Sequence, residues 1–255
     1  MERPLSIVIP AFNEESRLGA TLAKVCEYVS DARPDTEVIV VDDGSSDRTA
    51  AVAEAELAKR PDVSSRVIRY ETNRGKGYAV RKGFEEATGS VALFSDADLS
   101  TPITEAPKLV DPILNGEYDV TFGSRALDRS LIGVHQPWRR EQGGKVFNFL
   151  VRTATGLPFW DTQCGFKAFN MEKFRPLLPR MTINRFGFDV EFLYAAYHND
   201  LRLKEIPVRW DHCEGTKVSI FRDSVRMFSE VRQIRKNGRL GGYTLEEKEQ
   251  DGQDD

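Results

Sequence analysis

Short β-branched and aliphatic runs alternate with helical patterns through the first hundred positions. The run "LSIVIP" (5–10) predicts a strand, and residues 14–30 put Leu18, Leu22, Val25 and Val29 on one helical face. A second strand follows at "EVIVVDDG" (37–44), then "SSD" as an N-terminal cap for an alanine-rich helix reaching about Lys59. "RVIRYE" (66–71) predicts a third strand, followed by a glycine-punctuated turn and a helix from about Gly77 to Ala87. "SVALFSD" (90–96) predicts a fourth. Strands and helices in this order predict an α/β fold: a doubly wound, mostly parallel central sheet with helices on both faces. Further strands are expected at "DVTFGSR" (119–125) and "LKEIPVRW" (203–210), with helices near 141–155 and 187–199.

In open α/β sheets ligands bind beyond the carboxyl ends of the strands. Here the first strand ends in "PAFNE" (Pro10 to Glu14), the second in Asp42 and Asp43, the third in Asn73 and Lys76, and the fourth in Asp96 and Asp98. A loop or helix cap accounts for any single one of these ends, but not readily for all four together. The first strand lacks G-x-G-x-x-G and no G-x-x-x-x-G-K-[ST] occurs, which argues against a dinucleotide oxidoreductase and a P-loop nucleotidase. Asp42 and Asp43 suit a base imide or a ribose hydroxyl, and "NRGKGYA" offers a cation on a glycine loop for a phosphate. Two aspartates one residue apart at a strand end repel each other when both ionise. A divalent ion removes that penalty, so Asp96 and Asp98 are candidate ligands for Mg²⁺ or Mn²⁺ against a diphosphate, with a solvated turn as the plain alternative.

At 255 residues the chain is expected to form one domain with embellishments. Cys26, Cys164 and Cys213 form no C-x-x-C pair and no secretory pattern opens the chain, so a reducing, cytoplasmic setting is expected. The net charge of −4 is unevenly placed, with six acids and one lysine in residues 243–255. Residues 217–240 carry seven basic and two acidic residues, and Phe221, Val225, Phe228 and Val231 share a helical face. That basic amphipathic helix either packs on the domain or lies at an anionic membrane surface. The expected division is a catalytic domain over 1–216, the basic helix over 217–240 and an acidic disordered tail over 241–255. No nucleic-acid partner is expected. His135, His198 and His212 have no metal-ligand spacing.

Taken together, "VIPAFNE", "VVDDGSSDRT", "NRGKGYAVRKGF" and "SDADLSTP" resemble family 2 glycosyltransferases, which have the nucleotide-sugar-binding GT-A fold. In the second half, "FGSRAL", "DTQCGFKAF" (161–169), "FGFDVEFLYAA" (186–196) and "EIPVRW…EGTKVS" resemble dolichyl-phosphate β-glucosyltransferases and bacterial polyprenyl-phosphate glycosyltransferases. "D-A-D-L-S" also fits the opening of haloacid-dehalogenase-like phosphatases, but that motif ends the first strand of its domain and here it follows the fourth.

The resemblance implies that Pro10, Phe12, Glu14 and Asp43 surround uracil and ribose, while Asp96 and Asp98 hold the metal, the donor diphosphate and the sugar. Relatives often carry a glutamine where this chain has Ser100. Arg125 with Arg140, or with its competitor Arg139, would bind an acceptor phosphate, since a planar guanidinium grips phosphate bidentately. Asp161 would lie near the anomeric carbon as base, sugar anchor or charge stabiliser. Gln163, Asp189 and Glu191 would line or support the sugar pocket, and Lys217 would meet a phosphate. The implied activity is inverting transfer of glucose or a related hexose from a UDP-sugar to a polyprenyl or dolichyl phosphate, with peripheral attachment to the cytoplasmic face of a membrane. The alternatives are a soluble family 2 enzyme with a small-molecule or saccharide acceptor, and a non-catalytic nucleotide-sugar-binding protein.

Overall fold

The computed structural model describes residues 4–213 and 220–245. Its first half alternates β1 (Leu5–Ala11), α1 (Leu18–Ala32), β2 (Glu37–Asp42), α2 (Thr49–Leu57), β3 (Ser64–Arg69), α3 (Lys76–Glu86), β4 (Val91–Ser95) and α4 (Ala106–Leu114). The second half adds β5 (Val120–Ser124), β6 (Ile132–Val134), α5 (Trp138–Thr155), β7 (Phe166–Asn170) and α6 (Met171–Phe174). It closes with α7 (Phe188–Tyr197), β8 (Leu203–Pro207), β9 (Trp210–Asp211) and α8 (Ile220–Arg239).

Seven strands form one sheet in the order β3-β2-β1-β4-β7-β5-β8, and β6 pairs with β9 in a small second sheet. Strands β1 to β4 are parallel. β7 is antiparallel to both β4 and β5, and β8 is parallel to β5. Two reversals cancel, so β5 and β8 run in the sense of β4 and end at the same sheet edge. The start of β7 lies at that edge as well, which carries residues 161–165 to the ends of β4 and β5.

Both faces of the sheet are covered, as the continuous apolar runs require. Alternation along β1 and β2 sends Ile7, Ile9, Val38 and Val40 to a core shared with α1, α2 and α4. Val8, Ile39 and Val41 face α3, α7 and α8 on the other side. There Phe84, Phe169, Phe174 and Phe192 form a ring cluster with centroid separations of 4.4–6.4 Å. Each fully buried ring contributes about 1.5–3 kcal/mol of transfer free energy.

Several elements differ from the sequence pattern. The central pair partner of β4 is β7, whose five residues "FKAFN" hold a buried lysine and give a weak strand signal. α1 begins at Leu18 rather than at residue 14, because Glu14 pairs with Arg17 and its backbone N–H donates to Thr49 Oγ1 at 2.7 Å. α2 does have its expected polar start: Asp47 accepts from the Thr49 N–H at 2.9 Å. The strand expected over 203–210 breaks into β8 and β9, which join different sheets. α4 has no counterpart in the sequence pattern, because Pro112 interrupts its helical signal.

α8 packs on the domain through Met227, Val231 and Ile234. Phe228, expected on that buried face, is instead 40% exposed, because the contact seam passes one residue to its side. Phe221 and Val225 lie where side chains are not described. Residues 241–245, expected within the disordered tail, pack on the domain instead. Tyr243 is buried, its hydroxyl donating to Glu191 at 2.7 Å, and the Leu245 N–H donates to Asn199 at 3.0 Å. Residues 246–255 lie outside the described residues.

Candidate active site

The ends of β1 and β2 are tied together by side chain to main chain bonds. Asn13, in the left-handed region at φ 54°, donates its N–H to Ser45 Oγ at 2.8 Å and accepts from the Ser46 N–H at 2.8 Å. Pro10 is buried in β1, and Phe12 beyond it is 37% exposed. Glu14 holds Arg17 through both carboxylate oxygens.

Asp42 is fully buried, with Oδ1 accepting from the Ser45 N–H at 3.1 Å. Among the described residues its Oδ2 has no hydrogen bond, and Arg69 Nε lies 3.5 Å away. Asp43 is a clasp for the next loop. Oδ1 accepts from the Tyr70 hydroxyl and the Arg74 N–H, and Oδ2 from Asn73 Nδ2 and the Gly75 N–H, each at 2.8 Å. Tyr70, buried and beside Asp43, is pushed well above the usual phenol range.

That loop delivers Lys76 as the first residue of α3. Gly75 sits at φ 105°, and a Cβ there would fall 2.4 Å from the Asn184 carbonyl; at Gly77 it would fall 2.6 Å from Phe188 Cβ. Only glycines let the loop close so tightly on residues 183–188. Lys76 Nζ then lies 2.6 Å from Asp96 Oδ1 and 5.2 Å from the centre of the Phe94 ring. Burial lowers the Lys76 ammonium, but Asp96, Asp189 and Asp98 outweigh it and raise it above the ordinary lysine range. Burial raises Asp96 above the usual carboxylate range, with Lys76 opposing and Asp98 adding to the rise.

The turn after β4 is fixed from three sides. Thr21 on α1 donates to the Ala97 carbonyl at 2.6 Å, the Asp96 N–H donates to the Gly165 carbonyl at 3.1 Å, and Asp98 Oδ1 accepts from the Ser100 N–H at 3.0 Å. A Cβ on Gly165 would fall 2.0 Å from Asp96 Oδ2, so the glycine of "DTQCGFK" is the floor beneath this carboxylate. Leu99, between Asp98 and Ser100, adopts φ 48°, a conformation that costs a bulky residue about 1–2 kcal/mol. Its side chain packs on the α1 and α4 core, which offsets that cost. The end of β9 and the residues after it cover the turn: the Asp211 N–H donates to the Ser100 carbonyl at 2.8 Å and Cys213 Sγ to the Asp98 carbonyl at 3.4 Å. Among the described residues no three His, Cys, Asp or Glu side chains gather as a metal cluster. Asp96 and Asp98 offer two hard oxygen donors on a half-exposed turn, which suits an ion that takes its remaining ligands from phosphate and water.

On the other half of the edge, Arg125 follows β5 and grips Asp161 in a fork, Nε to Oδ2 at 2.7 Å and Nη2 to Oδ1 at 2.8 Å. Its own N–H adds a third bond at 3.0 Å. Burial raises Asp161, but Arg125 more than reverses it and holds the carboxyl below the usual range. Burial likewise opposes, and Asp161 outweighs, to keep Arg125 firmly protonated. Such a carboxylate is a weak proton acceptor. Glu205 on β8, not singled out from sequence, anchors the pair: it accepts from Asp161 N–H at 2.8 Å, Trp160 N–H at 2.9 Å and Ser124 Oγ at 2.6 Å. A pocket beside Arg125 and Asp161 is lined by Arg129, His135, Asn148 and Trp210.

The remaining predicted residues divide. Asp189 is buried and pairs with Lys167 at 2.5 Å, while Lys167 also donates to the Cys164 carbonyl. A lysine inside the apolar strand "FKAFN" was the available signal for Lys167. Gln163 donates its N–H to Asp161 Oδ1 at 3.2 Å and reaches Met227 Sδ at 3.9 Å. Glu191 is fully buried and accepts from the Thr182 N–H and hydroxyl, the Ile183 N–H and Tyr243, so it braces the loop behind Gly75. Arg139 and Arg140 lie in the first turn of α5, where their side chains are not described. Lys217 lies outside the described residues.

Residues 6–178 match the family described as Glycosyl transferase family 2. The chain is 32% identical over 251 residues to a dolichyl-phosphate β-glucosyltransferase of Dictyostelium discoideum, covering 94% of this chain and 76% of the relative. It is 34% identical over 257 residues to the Homo sapiens protein of the same description, covering 96% and 79%. Among solved structures, glucosyl-3-phosphoglycerate synthase from Mycobacterium tuberculosis in complex with UDP superposes with a TM-score of 0.68 at 20% identity, covering 92% of this chain and 80% of that one. The same enzyme with Mn²⁺, UDP-glucose and phosphoglyceric acid gives 0.67 at 20% identity, covering 94% and 80%. The sheet order, the strand-end carboxylates and these matches agree, and the chain belongs to the family 2 glycosyltransferases, with the GT-A fold and glycosyltransferase activity.

Proposed function

We propose that this enzyme transfers glucose from UDP-glucose to an acceptor that carries a phosphate group, with inversion at the anomeric carbon. The observation that carries the reading is one sheet edge that sets an acidic turn beside an arginine-bearing pocket. The carboxylates Asp96 and Asp98 end β4, and the pocket beside β5 holds Arg125, paired with Asp161, and Arg129, paired with Glu141. A nucleoside diphosphate needs a cation between itself and such carboxylates, while a phosphate acceptor needs the guanidinium side. The named activities of the relatives support the donor.

In this reading an acceptor phosphate oxygen forms a bond to the anomeric carbon as its bond to UDP breaks, and the electron pair leaves with the diphosphate. The acceptor oxygen is already ionised near neutral pH, so no strong base is needed and Asp161 serves to hold Arg125. Arg125 faces the incoming phosphate and Lys76 the departing diphosphate. Asp96 and Asp98 would hold Mg²⁺ or Mn²⁺, which would neutralise the leaving group. Asp43 and Asn73 keep the Lys76 loop in place.

The phosphate can come from a soluble small molecule or from a polyprenyl or dolichyl phosphate. The soluble source is supported by the synthase structures that hold phosphoglyceric acid. The lipid source is supported by the glucosyltransferase relatives and by α5, where Trp138, Val146 and Phe149 are 71%, 60% and 66% exposed. We assign membrane contact to that surface rather than to α8, whose Met227, Val231 and Ile234 are buried against the domain. Among the described residues no helix is long and apolar enough to cross a membrane.

The test is UDP release from UDP-glucose, UDP-galactose, UDP-GlcNAc and GDP-mannose with Mg²⁺ or Mn²⁺, each with phosphoglyceric acid, with undecaprenyl phosphate in detergent, or with neither. Acceptor-dependent turnover of UDP-glucose is expected with one phosphate source. Failure of both phosphate sources to raise turnover above the acceptor-free control, for every donor, would sink the proposal.

A further inference from the structure

Lys76 holds an unusual position for a phosphate-binding lysine. Its ammonium is already engaged, 2.6 Å from Asp96, the carboxylate that the proposed function gives to a divalent cation. Asp96 Oδ1 is buried beneath that contact, and Oδ2 rests above Gly165. The nearby Asp189 is neutralised separately by Lys167 at 2.5 Å, so Lys76 has Asp96 as its close partner.

We infer that Lys76 is a resident counter-ion of Asp96 that keeps divalent-cation affinity low until the donor diphosphate draws the ammonium away. The inference rests on the assignment of Asp96 and Asp98 as metal ligands. A cation approaching the substrate-free enzyme meets a carboxylate already paired and an ammonium within a few ångströms. Two like charges at that distance oppose each other strongly in a partly desolvated site. The arriving diphosphate changes both terms, since it supplies further oxygen ligands for the metal and a new anionic partner for Lys76.

The local build suits such a transfer. The backbone of Lys76 is immobilised by the close approach of Gly75 and Gly77 to residues 183–188. Its side chain, with the ammonium 5.2 Å from the centre of the Phe94 ring, is partly solvent-exposed and carries the charge on four flexible carbons. The ammonium can change partner without any movement of α3. By linkage, UDP that tightens metal binding is itself bound more tightly by the metal-loaded enzyme, by the same factor. Metal and nucleotide are then taken up together and the acidic turn is not left holding a free cation.

The experiment is calorimetric titration of the full chain with Mn²⁺, with and without saturating UDP, for wild type, Lys76→Met, Lys76→Gln and Lys76→Arg. Removing the ammonium is expected to tighten Mn²⁺ binding without UDP by about tenfold, in both the Met and the Gln variant. It should also shrink the enhancement that UDP gives. Lys76→Arg retains the cation and should bind Mn²⁺ as weakly as wild type. Circular dichroism and melting temperature identify any variant that has lost its fold, and the other neutral variant then stands in. Mn²⁺ binding to wild type with UDP, but no gain in the neutral variants without it, overturns the inference and leaves the proposed function standing. No Mn²⁺ binding to wild type even with UDP overturns both.

Discussion

The two halves of the active edge are built by different means. At the ends of β1 to β4, short motifs sit on parallel neighbours and are braced mostly by bonds between adjacent strand-end loops, as when Asp43 takes four hydrogen bonds at 2.8 Å from residues 70–75. At the ends of β5 and β8, Arg125, Asp161 and Glu205 come from three separated segments and are braced by one another. The first half is a rigid seat for a constant ligand, a nucleoside diphosphate. The second is a coupled ion-pair chain next to an open pocket, an arrangement in which a change at one member moves the others.

The largest expected effect is on the seat. Asp98→Asn should lower turnover by about 10³-fold or more while circular dichroism stays unchanged; wild-type-like UDP release would remove Asp98 from the metal assignment. On the other half, Asp161→Asn should cut kcat/KM for the acceptor by about 10²-fold by releasing Arg125, with KM for the donor nearly unchanged. Because Arg125 holds Asp161 below the usual carboxylate range, it stays ionised as pH falls to about 4. The wild-type pH–rate profile should therefore show no limb from Asp161 near neutrality, and such a limb that disappears in the Asn variant would restore the base role.

The two halves meet at Gly165, which offers a sharper cut. Gly165→Ala places a methyl group against Asp96 Oδ2, so a loss of about tenfold in kcat/KM is expected, with about 1–3 kcal/mol of stability. An effect on metal affinity in the absence of acceptor would assign the damage to the seat.

A control lies at the opposite sheet edge, where Asp119 joins Arg202 and Lys173 at 2.8–3.0 Å. The bond from Arg202, then Lys173, depresses Asp119 despite its burial, so its stabilising contribution is complete above the ordinary aspartate pKa of about 4. It is lost as pH falls through the depressed value. Asp119→Asn should lower stability at pH 7 by about 1 kcal/mol, the partners being half exposed and screened, and flatten the acid limb of urea-melt stability without changing kcat. The smallest effect on the fold is expected from Phe149→Ser with Val146→Ser. These exposed positions should leave the melting temperature within a degree or two. Binding to vesicles with anionic lipid should fall if α5 meets a membrane, and unchanged binding would remove that surface from consideration.

Much of the strand-end arrangement is legible in the chain because a parallel strand announces itself as an apolar run and its polar end follows within a few residues. The places of Asp96, Asp98, Asn73 and Lys76 at one sheet edge follow in this way. Asp43 and Glu191 were read by type and place, yet the bonds they make brace loops, and no sequence pattern distinguishes a carboxylate facing a ligand from one facing buried N–H groups. Phe228 was placed on the wrong side of α8 because amphipathic arcs fix a face only to within a residue.

The sequence by itself determined the alternation of strands and helices, the family and the acidic strand end, since these depend on local periodicity and contiguous motifs. Only the tertiary structure decided that β7 runs antiparallel between β4 and β5, because strand order depends on long-range pairing that leaves no local signature. That single reversal sets Gly165 under Asp96 and Asp161 into the fork of Arg125. Burial against neighbours also decides that Met227, Val231 and Ile234 of α8 are covered while Trp138, Val146 and Phe149 of α5 are exposed, which amphipathicity alone does not.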